Sequence, residues 1–192
     1  APTRVADRER LDATRALAGE LMALFAEPRR RSADALARFE AMLASGAEPT
    51  AADVLATAAA YRWSARWLYG LAEAEQVDDH VDVFFVEQVV KGLAGDLSLT
   101  ADALDAAVAE GAHLPAERVA ELHRRLAWTF DGDVSVFERK LYASLSHEAN
   151  KAMNLNSYIG LMGGSYRPEP TPDGTVLVPV ADGTSGALAV PD

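Results

Sequence analysis

The chain contains no cysteine, which excludes a disulfide scaffold, a thiolate zinc site and a cysteine nucleophile. Lysine is scarce as well, with three lysines against fifteen arginines. No apolar run approaches the ~20 residues that a membrane-spanning helix needs, and residues 1–8 carry charges where a signal peptide would be apolar. We therefore expect a cytoplasmic protein with no membrane partner.

Positive charge is also in short supply, because 18 Lys and Arg residues stand against 29 Asp and Glu residues and leave a net charge of −11. Surfaces that bind nucleic acid are usually basic, so we expect no nucleic-acid partner. A chain of 192 residues, 49% of them hydrophobic, is long enough to form a core without disulfides or a structural metal.

Helical patterns fill most of residues 4–160, and alanine, the residue with the highest helix propensity, occurs 38 times in the chain. We predict an all-α, antiparallel bundle of about seven helices. Pro28, Gly46, Gly92 and Gly111 are predicted as helix breaks. The run Arg29-Arg30-Arg31 that follows Pro28 is accordingly predicted as a solvated turn.

Three of these helices are predicted from the chemistry of their first residues. Ser32, Thr50 and Thr100 each precede an aspartate by two or three positions, as in a helix N-terminus whose hydroxyl and carboxylate accept from exposed amides. The last long helix is predicted to begin near Asp133, because apolar residues then recur with helical spacing.

The composition changes after Gly163-Gly164, beyond which five of the nine prolines lie. Apolar residues at 175–180 and 187–190, separated by a turn at 181–186, predict a β-hairpin, with Pro179 confining its strand to an edge. We therefore expect a helical bundle domain at 1–164 and a C-terminal hairpin at 165–192. Because a lone hairpin is marginal in water, we expect it to pack on the bundle or on a partner chain.

The segment Asp78-Asp79-His80-Val81-Asp82 places Asp78 and Asp82 on one side of a helix, with Asp79 beside them. Such carboxylates can hold Mg²⁺, and they can equally cap a helix start. The DDxxD pattern resembles the aspartate-rich motif of isoprenoid synthases, which hold a diphosphate through Mg²⁺. The resemblance covers five residues. It implies a second metal motif, in which Arg139 here occupies the position of the expected carboxylate.

The predicted helix at 50–74 carries apolar residues nearly all round, which is typical of the centre of a bundle. Arg62 and Arg66 share one strip of it, and a buried arginine must be paired. One interpretation pairs them with acidic neighbours on the surface. The other is an anion-binding pocket floored by Trp63 and Trp67 and facing the aspartate cluster.

Residues 153–166 carry no charge for fourteen positions although they are rich in Met, Leu and Tyr. Such a stretch is either packed inside the protein or forms a partner surface, where Met and Tyr are enriched. A subunit interface here would consist of Met153, Tyr158, Ile159, Leu161, Met162 and Tyr166.

The sequence lacks a complete catalytic motif, so we expect first a non-catalytic, homodimeric interaction or assembly protein with no cofactor, whose surface is also open to another protein partner. The alternative is a small metal-dependent enzyme or ligand-binding protein. In that case Mg²⁺ and an anion would occupy a pocket formed by the helices at 50–74 and 78–92.

Overall fold

The computed structural model describes residues 2–134, 136–147 and 150–191. Its helices are α1 (Pro2–Ala44), α2 (Ala51–Ala74), α3 (His80–Phe84), α4 (Lys91–Ala109), α5 (Ala116–Thr129) and α6 (Lys151–Ile159). A π-helical segment (Phe85–Val90) joins α3 to α4 without a break, so the described residues form five helical rods. The strands are β1 (Ser165–Thr171), β2 (Gly174–Val180) and β3 (Leu188–Ala189).

The predominance of helix is confirmed, whereas the number of about seven helices was too high. Contacts divide the chain into two compact units, Ala1–Val134 and Ser135–Asp192. Among the helices of the described ranges, none is both long and apolar enough to cross a membrane.

The first two predicted helices are one continuous helix, because Pro28 lies inside α1 and does not end it. The Pro28 ring is fully buried, so packing holds the helix together across the hydrogen bond that a proline cannot donate. Ser32 is therefore not an N-cap. Its hydroxyl instead donates to the carbonyls of Pro28 and Arg29, at 2.9 and 3.0 Å.

The predicted start at Thr50 is confirmed, and the one at Thr100 is wrong. Thr50 caps α2 in a capping box, in which its hydroxyl accepts from the N–H of Asp53 at 3.4 Å and its own N–H donates to the Asp53 carboxylate at 2.8 Å. Thr100 lies in the middle of α4, where its hydroxyl donates to the carbonyl of Asp96 at 2.9 Å. Each threonine is followed closely by an aspartate, so neighbouring residues alone do not distinguish the two sites. Thr100 does not start a helix because α4 continues through it.

The predicted helix ends at Gly46 and Gly111 are confirmed. Both glycines have positive φ angles, 81° and 70°, in the position just after the helix where a side chain would be strained. Gly92 does not end a helix and lies inside α4 instead.

The core of the first unit forms where α2 packs on α4 and α1 packs on α5. As its apolar pattern predicts, α2 contacts α1, α4, α5 and the π-helical segment. The largest core side chains are Phe39, Val54, Tyr61, Leu68, Val86, Val90, Leu97, Leu104, Val119, Leu122, Leu126 and Phe130.

The second unit contains a three-stranded antiparallel sheet in the order β2-β1-β3. β2 matches the predicted strand, and Pro179 lies on an edge as expected. The predicted pairing of this strand with residues 187–190 is wrong, because β2 and β3 lie on opposite sides of β1 and each pairs with it. β1 was not predicted, because Pro168 and Pro170 lie within it. A proline has no N–H to donate to a neighbouring strand. On the β3 side of β1, β3 pairs only with Ser165 and Tyr166, so among the described residues no strand there needs a donor from Pro168 or Pro170.

The helix predicted from Asp133 does not form, and a short 3₁₀ turn (Arg139–Leu141) occupies part of that region. The backbone N–H of Ala143 donates to Thr175 of β2 at 2.7 Å, and the N–H of Leu177 donates to the Ser144 hydroxyl at 3.0 Å. Pairing with β2 therefore replaces the helical hydrogen bonds that the apolar spacing indicated. Among the described residues of the predicted span, α-helix is found only at its end, in α6.

Candidate functional site

A cavity of about 330 Å³ opens between α1 and α2. Ala35 of α1 and Ala59 and Ala60 of α2 form much of its wall, and these small side chains leave space where larger ones would bring the helices into contact. Leu126 of α5 contributes an apolar surface. The volume lies within the usual range for a small-molecule site.

Three arginines line this cavity: Arg31 and Arg38 from α1, and Arg66 from α2. Arg31 and Arg38 are seven residues apart, which places them on the same face of α1 two turns from each other. The hydroxyl-bearing residues Ser32 and Ser64 also line it. Among the lining residues that the structure describes, none is acidic.

Among the described residues, two of the three guanidinium groups have no carboxylate partner. In the part of the chain that the structure describes, no ion pair involves Arg38 or Arg66. By contrast, Arg29, Arg30 and Arg31 of α1 each form one. Arg31 lies 3.8 Å from a carboxylate oxygen of Glu27. Its guanidinium carbon also lies 4.2 Å from the centre of the Trp63 ring, a cation–π contact that orients the group.

A second cavity, of about 360 Å³, continues along the same helix seam and shares Ala35, Arg38 and Ala60 with the first. Phe39 and Met42 give it an apolar wall, and Asp53 and His123 line it as well. Arg38 therefore faces both cavities. We call the two together the α1/α2 groove.

Of the residues predicted as an anion pocket, Arg66 and Trp63 lie in the groove, and Arg62 and Trp67 do not line it. Arg62 binds Asp105 and Asp102 of α4, at 2.5 and 3.3 Å, and these hydrogen bonds, Asp105 first, raise the pKa of Arg62. Trp67 packs between Phe25 and Phe130, with ring centres 5.3 and 5.9 Å away.

The aspartate cluster caps α3. The Asp79 carboxylate accepts from the N–H groups of Val81 and Asp82, and the Asp82 carboxylate accepts from those of Asp78 and Asp79. Across the described ranges, no group of three His, Cys, Asp or Glu residues is arranged to hold a metal ion. The geometry therefore supports the capping interpretation, and Mg²⁺ at this position stays a prediction.

The six residues predicted as an interface have different environments within the second unit. Leu161 is buried, and the ring of Tyr158 packs against Phe137 with centres 6.1 Å apart. Ile159 and Met162 are exposed. Met153 and Tyr166 are half-buried.

Sequence reasoning missed Arg31 because the proline at position 28 indicated a turn where α1 is helical. It placed Arg38 on a helix, but the sequence did not show that this helix packs beside α2. On a continuous helix, the spacing of Arg31, Ala35 and Arg38 would have placed them on one face. It also missed His123, for which the sequence offers no signal, since its burial depends on how α5 packs on α1 and α2.

No protein-family model, curated protein or solved structure matches the chain.

Proposed function

We propose that this protein binds a small organic molecule through a carboxylate or phosphate group held in the α1/α2 groove. The observation that carries this proposal is the convergence of Arg31, Arg38 and Arg66 on one cavity whose described lining contains no carboxylate. Guanidinium groups present paired donors that match the oxygens of carboxylates and phosphates, and these charge-assisted hydrogen bonds are the strong ones.

The charge of the whole chain makes this arrangement notable. With a net charge of −11, most arginines are expected to have an acidic neighbour, as Arg29, Arg30 and Arg62 do. In the described part of the chain, Arg38 and Arg66 have no such ion pair, and they lie with Arg31 around one cavity, where their positive charges repel one another. A bound oxyanion would relieve that repulsion.

The contact of Arg31 with Trp63 adds a second feature of a ligand site. Stacking on the indole holds the guanidinium plane in place before a ligand arrives, which lowers the entropy lost on binding. The Trp63 ring and the alanines of the groove provide an apolar surface for the rest of the molecule. The groove thus suits an organic anion better than a fully hydrated inorganic one.

Titration calorimetry with inorganic phosphate, acetate and benzoate tests the proposal, using Arg31→Gln and Arg66→Gln. Arg30→Gln is the matched control, because it removes the same charge from the neighbouring position and Arg30 pairs with Asp34 outside the groove. We expect saturable binding of at least one anion. A lost charge-assisted hydrogen bond is worth about 1.5–3 kcal/mol, so Arg31→Gln and Arg66→Gln should weaken binding about tenfold or more.

Equal binding by Arg31→Gln and Arg30→Gln would show that any anion binds elsewhere. Absence of binding for all three anions to the wild-type protein would reject the proposal outright.

A second candidate is the homodimeric interaction protein expected from the sequence, in which a second copy of the chain is the partner. It is favoured by an exposed apolar face around the π-helical segment, where the Phe84 and Phe85 side chains are 62% and 48% exposed. Sedimentation analysis of Phe84→Glu tests it. We expect a dimer that dissociates in this variant but not in Leu99→Glu, which alters a similarly exposed residue of α4. A wild-type monomer at micromolar concentration would reject it.

A further inference from the structure

The side chain of Ser64, in the middle of α2, lines the first cavity of the α1/α2 groove, and the residue is only 3% exposed. Ala60, which lines both cavities, lies four residues earlier and so on the same face of the helix. In the described part of the chain, no group forms a hydrogen bond with the Ser64 hydroxyl. Buried polar groups nearly always have a partner, so this exception needs an explanation.

The other buried hydroxyls of these helices show what is unusual about Ser64. A serine or threonine inside a helix commonly donates to a carbonyl one turn earlier, and Thr57 of the same helix does so at 2.9 Å. Ser32, which lines the same cavity from α1, donates to the carbonyls of Pro28 and Arg29. A hydroxyl has one hydrogen, so that of Ser32 is already used, whereas no described group accepts that of Ser64.

The Ser64 hydroxyl also keeps access to the cavity. A polar atom that lacked both a partner and any accessible surface would be sealed inside the protein, and the Ser64 oxygen is not such an atom. It therefore retains accessible surface, although the residue as a whole is nearly enclosed. Because the first cavity is the space that Ser64 lines, its hydroxyl can donate to a ligand bound there.

The charge of the cavity indicates the charge of its ligand. Arg38 and Arg66 line it, and within the described ranges neither has an ion pair, so two positive charges are uncompensated. Arg31 already lies 3.8 Å from the Glu27 carboxylate. A phosphate monoester carries about −1.5 to −2 charges at pH 7, whereas a carboxylate carries a single one. The phosphate monoester therefore matches the two arginines, and a carboxylate would balance only one of them.

The number of donors leads to the same class of ligand. Three guanidinium groups and the Ser64 hydroxyl line one cavity, and each guanidinium has five N–H groups. A carboxylate offers two oxygens to these donors, whereas a phosphate monoester offers three strongly accepting ones. More of the donors can therefore be satisfied by a phosphate.

We propose that the ligand of the α1/α2 groove is a small organic phosphate monoester, held by the three arginines of the first cavity and by a hydrogen bond from the Ser64 hydroxyl. The inference rests on the function proposed above, and it narrows the ligand from any carboxylate or phosphate to the doubly charged phosphate. The Trp63 ring and the alanines of the groove then contact the organic part of the molecule.

Three anions that share a phenyl ring test the charge of the ligand: phenyl phosphate, phenyl sulfate and benzoate. Phenyl sulfate has the shape of phenyl phosphate and the same three terminal oxygens, but it carries a single negative charge. Calorimetry is carried out at about pH 7.5, where a phosphate monoester is largely doubly charged. We expect the wild type to bind phenyl phosphate about tenfold or more tightly than either of the other two, and Arg31→Gln to weaken that binding.

The two serines of the cavity provide a matched pair of variants. Ser64→Ala and Ser32→Ala each remove one hydroxyl from the same cavity, but only the hydrogen of Ser64 is available to a ligand. We expect Ser64→Ala to weaken phenyl phosphate binding about tenfold or more, as the loss of a hydrogen bond to a charged group does. Ser32→Ala should bind phenyl phosphate as the wild type does.

Unfolding in the absence of ligand provides a readout that is independent of binding. Ser64→Ala breaks no hydrogen bond among the described residues and places a better helix former inside α2. Urea denaturation should therefore give this variant a free energy of unfolding equal to or above that of the wild type. A lower value would mean that the hydroxyl has a partner within the protein, and the role proposed for Ser64 would be wrong.

Two binding results would overturn the inference while the oxyanion site of the proposed function stands. One is phenyl phosphate binding no more tightly than phenyl sulfate, with both dependent on Arg31. The other is equal binding of phenyl phosphate by Ser64→Ala and Ser32→Ala. If none of the three phenyl compounds binds the wild type, and inorganic phosphate and acetate do not bind either, the proposed function and this inference both fail.

Discussion

At the scale of single residues, Tyr61 shows how strongly the first unit encloses its polar groups. The ring is 1% exposed, and its hydroxyl donates to the carbonyl of Leu122 at 2.8 Å, which ties α2 to α5. Burial raises the pKa of Tyr61 to about 12, because the phenolate would lose its hydration. The neutral hydroxyl therefore contributes to stability across the physiological range.

The variant Tyr61→Phe should lower the free energy of unfolding by about 1 kcal/mol, the usual worth of one such hydrogen bond. The wild type should also lose stability as the pH rises from 10 to 12. In that range the unfolded chain releases the proton while the folded chain keeps it. Urea denaturation at pH 7 and at pH 11 measures both effects. Tyr69→Phe, which alters an exposed tyrosine of the same helix, serves as the control and should change neither.

Whereas Tyr61 makes the free energy of unfolding fall as the pH is raised, His123 should make it fall as the pH is lowered. Its pKa is lowered in the folded protein, so below pH 6.5 the unfolded chain binds a proton that the folded chain does not, and stability falls as the pH falls. One such proton changes the free energy of unfolding by at most about 1.4 kcal/mol per pH unit.

Denaturation of His123→Gln between pH 7.5 and 5 should therefore show a shallower decline than that of the wild type. His113→Gln, which removes an exposed histidine, should follow the wild-type curve. Identical slopes for wild type and His123→Gln would contradict a lowered pKa of His123 in the folded protein.

At the scale of helices and strands, Thr50 and Thr100 show that the same local sequence pattern can start a helix or lie inside one. Both precede an aspartate in the sequence, and only Thr50 caps a helix. Removing an N-cap hydroxyl costs about 1 kcal/mol, whereas alanine in a helix interior is favoured over threonine. We therefore expect Thr50→Ala to lower the melting temperature by several degrees and Thr100→Ala to leave it unchanged or raise it. Equal losses in thermal denaturation would contradict the continuous helix α4.

Predictions from the sequence were reliable where one hydrogen-bonded motif determines the structure. The ends at Gly46 and Gly111 and the start at Thr50 are of this kind, because each follows from a few neighbouring residues. Pro28 misled because its cost in a helix is local, while the burial of its ring depends on the tertiary structure. The segment near Ala143 misled for the same reason, since its amide pairs with β2, which lies some thirty residues further along the chain.

At the scale of the whole molecule, the main feature is an acidic chain that gathers arginines in one groove. Sequence reasoning identified Arg66 as a ligand-binding candidate from the strip that it shares with Arg62, and Trp63 as part of the pocket floor; both line the groove. It could not find Arg31 and Arg38, because their role depends on α1 being unbroken and packed beside α2. The α2 side of the groove was therefore predicted from the sequence, whereas the α1 side could be identified only from the packing of the two helices.

The three tryptophans make the location of a bound anion directly measurable. Trp63 lines the groove, Trp67 packs in the core, and Trp128 is 79% exposed on α5. Each indole N–H gives its own signal in a ¹H–¹⁵N correlation spectrum, and single Trp→Phe variants assign the three. Titration with an aromatic acid therefore reports which of these environments the ligand enters.

This titration tests the central claim most directly. A ligand held by Arg31, Arg38 and Arg66 should shift the Trp63 signal saturably, leave the Trp128 signal in place, and lose its effect in Arg31→Gln but not in Arg30→Gln. A Trp63 signal that does not move with any carboxylate or phosphate, or that moves equally in both arginine variants, would contradict the assignment of the α1/α2 groove as an anion-binding site.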